Sequence, residues 1–153
     1  MSHTITIYTD GSSRGNPGPG GYGAILMSGT LRKEISQGFK NTTNNRMELL
    51  SVIVALESLK NSGCTVTIYS DSKYVVDSVE KGWAFGWAKK NFSGKKNPDL
   101  WARFLRIYPK HKVKFIWVKG HAENVLNERC DELAVGAALG GNLIADEGYL
   151  GGQ

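Results

Sequence analysis

The sequence contains few cysteines and no long apolar run, and each shortage excludes a class of protein. Cys64 and Cys130 are its two cysteines, and no Cys-x-x-Cys pair indicates a zinc or redox site. The richest apolar stretch, residues 49–56, is interrupted by Ser51 and is far shorter than the about 18 residues that a membrane-spanning helix requires. No basic segment followed by an apolar one opens the chain, as a secretory signal would. We therefore expect a reduced, cytoplasmic protein that does not associate with membranes.

The basic residues are concentrated in one part of the chain. Eleven of the 19 lysine and arginine residues lie between residues 81 and 119, where Asp99 is the single acid. The rest of the chain carries eight basic residues against thirteen acidic ones. A basic block on an otherwise acidic chain indicates a polyanionic partner, although charge alone fits a solvated lysine-rich loop equally well.

The pattern of apolar residues predicts one α/β domain. Predicted strands occupy residues 4–10, 22–27, 31–39, 65–71 and 113–118, and predicted helices occupy residues 44–60, 72–80, 99–107 and 124–139. Strands that first form a meander and then alternate with helices imply a mixed five-stranded sheet flanked by helices. Residues 1–141 form this domain, with an aperiodic segment at about residues 83–98. The tail, residues 142–153, is expected to be loosely ordered.

Two of the predicted strands end in the same way. Residues 4–10 read TITIYTD and residues 65–71 read TVTIYSD, so each strand finishes on an aspartate, Asp10 or Asp71. If the strands are parallel neighbours in register, these carboxylates lie roughly 5 Å apart, the spacing between strands. They would then be able to share divalent ions that lie about 3.5–4 Å from each other. The alternative is that each aspartate merely caps the following turn or helix.

Two further acids lie on predicted helices. Glu48 points toward the core, or it completes a capping box with Asn45. Asp131 flanks the apolar side of the last helix, or it is an ordinary surface acid. Four such carboxylates would repel each other unless cations neutralised them, and oxygen ligands without clustered His or Cys favour Mg²⁺ or Mn²⁺ over zinc. Two such ions suit the hydrolysis of a nucleic-acid phosphodiester.

Two other features have both a functional and an ordinary interpretation. His121 follows a glycine in a predicted loop, where it can move a proton near neutral pH or be a plain surface histidine. Residues 83–96 mix aromatic and lysine side chains, which together bind nucleic acid because lysines hold phosphates and rings pack on sugars or bases. Trp87 within this segment would alternatively anchor the loop to the body.

Taken together, four ordered motifs resemble those of the bacterial ribonuclease HI family. They are residues 8–23, 42–49, 70–72 and 117–134, and the resemblance extends from about residue 4 to residue 138. It implies the ribonuclease H-like fold, in which the first strand is central and the second runs antiparallel to the rest. It also implies an endonuclease that hydrolyses the RNA strand of RNA–DNA hybrids, leaving 5′-phosphate and 3′-hydroxyl ends, and that acts as a monomer.

The resemblance implies roles for individual residues. It makes Asp10, Glu48, Asp71 and Asp131 the catalytic ligands of two Mg²⁺ ions, for which Mn²⁺ can substitute. It makes His121 the catalytic residue that assists proton transfer or product release. The implied contacts with the hybrid duplex are Asn16, Thr43, Asn44, Asn45, Arg46, Lys73, Trp87, Lys89, Lys90, Lys95, Lys96 and Asn97.

These implied contacts fall into three groups. The positions that match the lining of the minor groove, where a 2′-hydroxyl distinguishes RNA from DNA, are Asn16, Asn44 and Asn45. Thr43 and Asn97 match a pocket for a phosphate of the DNA strand, and residues 83–98 match a basic protrusion that grips that strand. The sequence departs from some relatives at two positions near these contacts. It has Ser13 where they carry cysteine, and Lys73 where they carry glutamine or asparagine.

A hybrid-binding module and a phosphatase are the alternatives to an endonuclease. A non-catalytic module that binds hybrids would be favoured by the loss of an acid, and no acid is lost. A phosphatase with an aspartate nucleophile usually carries a second acid two residues after the first, whereas Ser12 follows Asp10 at that spacing.

Overall fold

The computed structural model describes residues 3–119 and 124–149, which form six strands and five helices. The strands are β1 (Thr4–Ser13), β2 (Gly18–Ser28), β3 (Leu31–Thr42), β4 (Thr65–Ser70), β5 (Lys112–Trp117) and β6 (Leu143–Ile144). The helices are α1 (Asn44–Glu57), α2 (Lys73–Glu80), α3 (Trp83–Lys89), α4 (Pro98–Ile107) and α5 (Val125–Leu139), with a 3₁₀ turn at Tyr108–Lys110.

The strands form one mixed sheet in the order β5-β4-β1-β2-β3-β6. Strand β2 runs antiparallel to its neighbours β1 and β3, whereas β4 is parallel to β1 and β5 is parallel to β4. The predicted mixed sheet, with a central first strand and an antiparallel second strand, is confirmed. The sheet has six strands and not five, because the two residues of β6 pair with β3 and are too few to show a strand pattern in the sequence.

Helices pack on both faces of the sheet, and the glycines of β2 allow them to approach it. A β-carbon at Gly20 would lie 3.3 Å from the Met47 side chain of α1, and one at Gly21 would lie 2.6 Å from the Ala134 carbonyl of α5. Successive residues of a strand face opposite sides, so α1 and α5 lie on opposite faces. Residues 18–21 are predicted as a turn from their glycines and proline, but they belong to β2, where Gly20 and Gly21 pair with both β1 and β3.

Other helices and strands also differ from the sequence prediction. Strands β1 and β3 each continue three residues beyond the predicted end, to Ser13 and Thr42. Helix α1 ends at Glu57 and is capped by Ser58, so it is three residues shorter than predicted. Helix α3 forms inside the segment that has no apolar period, where Ala84 is its one buried residue. A helix of seven residues with one buried position leaves no repeat to detect.

Of the tail that is expected to be loosely ordered, residues 142–149 contact the body of the domain, and residues 150–153 lie outside the described residues. Gly38 and Phe39 of β3 pair with β6, and the Asp146 carboxylate lies 2.7 Å from the Arg46 guanidinium. The attachment depends on a long-range ion pair, and long-range pairs leave no local pattern in the sequence.

The cysteines and the helices bear on the expectations of a reduced protein that does not associate with membranes. Cys64 and Cys130 are both buried and free. In the part of the chain that the structure describes, no helix is long and apolar enough to cross a membrane.

Candidate active site

Strands β1 and β4 bring Asp10 and Asp71 together. The strands are parallel and in register from Thr4 opposite Thr65 to Thr9 opposite Ser70, so each aspartate directly follows the last paired position. Strand β4 ends there, whereas β1 continues beyond Asp10 to Ser13. The predicted register is therefore confirmed. Asp10 is 3% exposed, and its Oδ1 accepts a hydrogen bond of 2.9 Å from the backbone N–H of Gly11.

Helix α1 brings Glu48 to the same place because residue 11 is glycine. A β-carbon at Gly11 would collide with the backbone of Met47 and Glu48, so only glycine lets the helix lie this close to β1. The N-cap of α1 is Thr43, whose hydroxyl accepts from the backbone N–H of Arg46 at 3.2 Å. Asn45 lies inside the helix, and this position excludes the capping-box interpretation of Glu48.

Asp10, Glu48 and Asp71 form a carboxylate cluster. One oxygen from each residue lies within 4.8 Å of the others. Within the described residues, Glu48 Oε1 and Asp71 Oδ1 are buried without a hydrogen-bond partner. Buried acceptors are normally satisfied, so this cluster needs a partner from outside the described chain. An oxygen-only donor set with free acceptors fits a hard divalent cation such as Mg²⁺.

The raised pKa values of two carboxyl groups in the cluster also favour a bound cation. Burial raises the pKa of Asp10 to about 8, and the charges of Asp71 and Asp131 add to this effect. Burial, followed by the charge of Asp10, also raises the pKa of Glu48 well above its ordinary value. A bound cation would reverse these shifts because it favours the ionised carboxylates.

Asp131 lies at the edge of the cluster. A β-carbon at Gly23 of β2 would lie 2.7 Å from the Cys130 carbonyl, so glycine allows this part of α5 to lie against the strand. Asp131 is half-buried, and its charge contributes to the raised pKa of Asp10. It is outside the group of three whose oxygens lie within 4.8 Å. His121, the predicted proton-transfer residue, lies outside the described residues.

The residues predicted to line the minor groove meet at the start of α1. Asn16 Oδ1 accepts a hydrogen bond of 3.0 Å from the backbone N–H of Asn44, which joins the loop after β1 to the first residue of the helix. Asn16, Asn44 and Asn45 are all exposed. The three residues are therefore accessible at the N-terminal end of α1, the helix that carries Glu48.

Arg46, predicted to contact the hybrid, has a different role in the structure. Its side chain is fully buried between two carboxylates: Nη1 and Nη2 donate to Asp99 at 2.9 and 2.7 Å, and Nε donates to Asp146 at 2.7 Å. Burial alone would lower the pKa of Arg46, but the hydrogen bonds to these carboxylates outweigh it and raise the pKa. A buried guanidinium with all three nitrogens engaged has no face left for a phosphate, so the predicted direct contact is wrong.

Arg46 instead connects the two residues of the predicted phosphate pocket. Its backbone N–H donates to Thr43, and its Nη1 donates to Asn97 Oδ1 at 3.3 Å. Asn97 has a left-handed backbone (φ 60°), is 5% exposed, and donates from Nδ2 to the hydroxyl of Tyr74 at 3.1 Å. Thr43 and Asn97 are therefore fixed relative to each other across the gap between α1 and α4.

The basic protrusion (residues 83–98) presents its lysines to solvent. The exposed lysines are Lys89, Lys90, Lys95 and Lys96. Trp87 packs edge-on against the fully buried Trp101, with ring centroids 5.7 Å apart, and Lys95 Nζ lies 5.3 Å from the centroid of the Trp87 ring. Trp87 thus anchors the protrusion to the core and also contacts one of its lysines.

Sequence reasoning missed Trp117 and Asp146. The indole N–H of Trp117 donates to the carbonyl oxygen of Asp71 at 3.1 Å, and Lys73 Nζ lies 4.7 Å from the centroid of its ring. The position of Trp117 at the end of a strand, four residues before His121, was the available signal. Asp146 had none, because its partner Arg46 lies 100 residues away in the sequence.

The sequence is similar to a family model and to curated proteins that are all described as ribonuclease H. A family model described as RNase H matches residues 2–139. The chain is 55% identical over 147 residues to a ribonuclease H of Desulforamulus reducens, covering 93% of this chain and 92% of the relative. It is 48% identical over 153 residues to the ribonuclease HI of Synechocystis sp., covering 96% and 95%.

Solved structures show the same similarity. LC9-RNase H1, described as a type 1 RNase H with the type 2 active-site motif, superposes with a TM-score of 0.82 at 32% identity over 90% of this chain and 73% of that one. LC11-RNase H1, solved in complex with an RNA/DNA hybrid, gives a TM-score of 0.66 at 28% identity over 88% and 96%.

Proposed function

This chain belongs to the ribonuclease H family, and from that premise we propose that it is an endonuclease that hydrolyses the RNA strand of RNA–DNA hybrids. The products would be 5′-phosphate and 3′-hydroxyl ends. The observation that carries the proposal is the carboxylate cluster, in which Asp10, Glu48 and Asp71 converge and two buried oxygens have no hydrogen-bond partner among the residues that the structure describes. Hydrolysis of a phosphodiester assisted by metal ions needs such a set of oxygen ligands.

Asp10, Glu48, Asp71 and Asp131 would hold two Mg²⁺ ions, or Mn²⁺ in their place. When bound, the ions would supply an activated water and stabilise the leaving oxygen. The chain itself would fix the ligand oxygens: Asp10 and Asp71 directly follow the last pair between β1 and β4, and the other two acids lie on helices that glycines allow to approach the sheet. His121 would assist proton transfer or product release.

The hybrid would be bound by its backbone and sugars, so recognition would be largely independent of sequence. Asn16, Asn44 and Asn45 would contact the minor groove, where 2′-hydroxyls identify the RNA strand. Thr43 and Asn97 would bind a phosphate of the DNA strand, and the basic protrusion would grip the same strand. The relative LC11-RNase H1, solved with an RNA/DNA hybrid, supports this assignment. A cytoplasmic location and a monomeric state remain predictions.

The test is a gel assay with end-labelled RNA annealed to DNA, in Mg²⁺ or in EDTA, alongside single-stranded RNA and duplex RNA. We expect metal-dependent cutting of the hybrid alone. Binding of the hybrid without any cutting in Mg²⁺ or Mn²⁺ would contradict the proposal and favour a non-catalytic binding module.

A further inference from the structure

The geometry points to Trp117 as a positioning residue that holds the ammonium group of Lys73 beside the carboxylate cluster, where Lys73 binds a backbone phosphate of the hybrid. This inference rests on the proposed function, because it assigns a further contact to the same substrate. Lys73 was expected to contact the hybrid, whereas Trp117 was not.

The sheet places Trp117 at the same edge as the cluster. Trp117 is the last residue of β5 and pairs with Ser70, the residue immediately before Asp71. Its ring is 43% exposed, although it is a large aromatic group at the end of a strand. An exposed tryptophan at this edge is therefore accessible to a ligand that approaches the carboxylates.

A hydrogen bond anchors the ring. The indole N–H of Trp117 donates to the carbonyl oxygen of Asp71 at 3.1 Å, so the ring is tied to the same backbone segment that carries a cluster residue. A tryptophan whose polar end is satisfied in this way can present its face in one fixed orientation.

That face contacts Lys73. The ammonium nitrogen lies 4.7 Å from the centroid of the ring, within the range of a cation–π interaction. Lys73 is only two residues from Asp71, yet among the described residues it forms no ion pair. The ring thus holds the ammonium group while leaving its hydrogen-bond donors free for an external acceptor.

Stability of the helix does not explain a lysine at this place. Lys73 is the first residue of α2, where the positive end of the helix dipole disfavours a cation. A fixed, exposed cation next to a site for a polyanion has the chemistry of a phosphate contact. Because the lysine stem is flexible, the ring would limit the entropy that Lys73 loses on binding.

A double-mutant cycle tests this link in the Asp10→Asn background, where the hybrid is bound without being cut. The dissociation constant of an RNA–DNA hybrid is measured for Lys73→Met, Trp117→Leu and the double variant at several salt concentrations. We expect Trp117→Leu to weaken binding about three- to fivefold in the presence of Lys73. In the Lys73→Met background the same change should have no further effect.

Further variants and a kinetic measurement test whether Lys73 and Trp117 have more than a structural role. Lys73→Met should lower the slope of log K against log salt by about 0.7–0.9, the value for one phosphate. Lys73→Arg should restore affinity and slope, and Trp117→Phe, which keeps a ring but loses the N–H, should have an intermediate effect. In the parent enzyme, Lys73→Met should raise KM and leave kcat unchanged. Lys112→Met, an exposed charge at the opposite end of β5, is the matched control and should change none of these.

Two results would overturn the inference. One is an unchanged affinity and salt slope for Lys73→Met, and the other is an equal loss from Trp117→Leu with and without Lys73. If Trp117→Leu does not fold, the cycle with Trp117→Phe decides in the same way. Because the readout is binding, the result is independent of cutting: failure to cut would contradict the proposed function and leave the cycle interpretable.

Discussion

Helix α1 contains two buried charges, Arg46 and Glu48, that lie two residues apart in opposite electrostatic situations. Arg46 is surrounded by acceptors, because Asp99 and Asp146 both bind its guanidinium. Glu48 has like groups as neighbours, because Asp10 and Asp71 lie beside it. In the part of the chain that the structure describes, its Oε1 has no hydrogen-bond partner. Arg46 thus has its ionic partners inside the chain, whereas the neighbours of Glu48 are acids, and this difference favours a cation as the ligand at Glu48.

The largest expected difference between the carboxylate cluster and the Arg46 cluster (Arg46, Asp99 and Asp146) is in catalysis. Asp10→Asn should reduce cleavage of the hybrid by about a thousandfold or more, because bound metal ions are worth several kcal/mol of transition-state stabilisation. Binding of the hybrid should persist. The metal-free protein should become more stable, because Asp10 must take up a proton or be ionised beside like charges on folding, whereas asparagine is neutral in both states. Cleavage rates and urea unfolding check both effects, with Asp77→Asn on α2 as the control. Parent-like cleavage by Asp10→Asn would disprove the metal assignment.

Removing Arg46 should have the opposite effect on stability. Arg46→Met leaves Asp99 and Asp146 without their shared cation, and we expect the free energy of unfolding to fall by about 3–5 kcal/mol. Asp146→Asn keeps the hydrogen bonds in part and should cost less. Urea unfolding at pH 7 measures both, and an Arg46→Met protein as stable as the parent would mean that this cluster does not hold the tail to the body.

The pH dependence of stability should distinguish the clusters further. Burial raises the pKa of Asp10 from 3.8 to about 8, so the native state retains a proton that the unfolded chain releases between these values. Stability of the metal-free protein should therefore fall as the pH rises from about 4 to about 8, by a few kcal/mol. Asp10→Asn should flatten this decline. Unfolding in EDTA across this range checks it, and a stability that rises over the same interval would contradict the raised pKa.

A third kind of charge, exposed and unpaired with the core, should affect only binding. Replacing Lys89, Lys90, Lys95 and Lys96 with alanine should weaken hybrid binding about ten- to hundredfold at low salt and flatten its salt dependence. Stability should change little, because exposed charges contribute little to folding. Binding isotherms at several salt concentrations provide the measurement. An unchanged salt slope would mean that the basic protrusion does not contact phosphates.

The carboxylate cluster was predictable because its geometry follows from local patterns. The matching sequences of residues 4–10 and 65–71 predict the register that brings Asp10 and Asp71 together. The family resemblance adds Glu48 to them, and Asp131 at the edge of the cluster. The Arg46 cluster was not predictable, since Asp146 lies in a tail without any periodic pattern and 100 residues from its partner. The same limit explains β6, which pairs with the distant strand β3. Helix α3 was missed for another reason, since its single buried position leaves no repeat in the sequence. Arg46 was assigned to the substrate because a basic residue in a substrate motif has no sequence feature that indicates burial.

The central claim is that the carboxylate cluster is completed by a divalent cation, and the most direct measurement is the effect of Mg²⁺ on unfolding. The midpoint is recorded at pH 8 with MgCl₂ and with NaCl of equal ionic strength, for the parent, Asp10→Asn and Arg46→Met. We predict that Mg²⁺ raises the midpoint of the parent and of Arg46→Met, and that Asp10→Asn loses most of this response. A parent that gains nothing from Mg²⁺, or an Asp10→Asn variant that gains as much as the parent, would contradict the account.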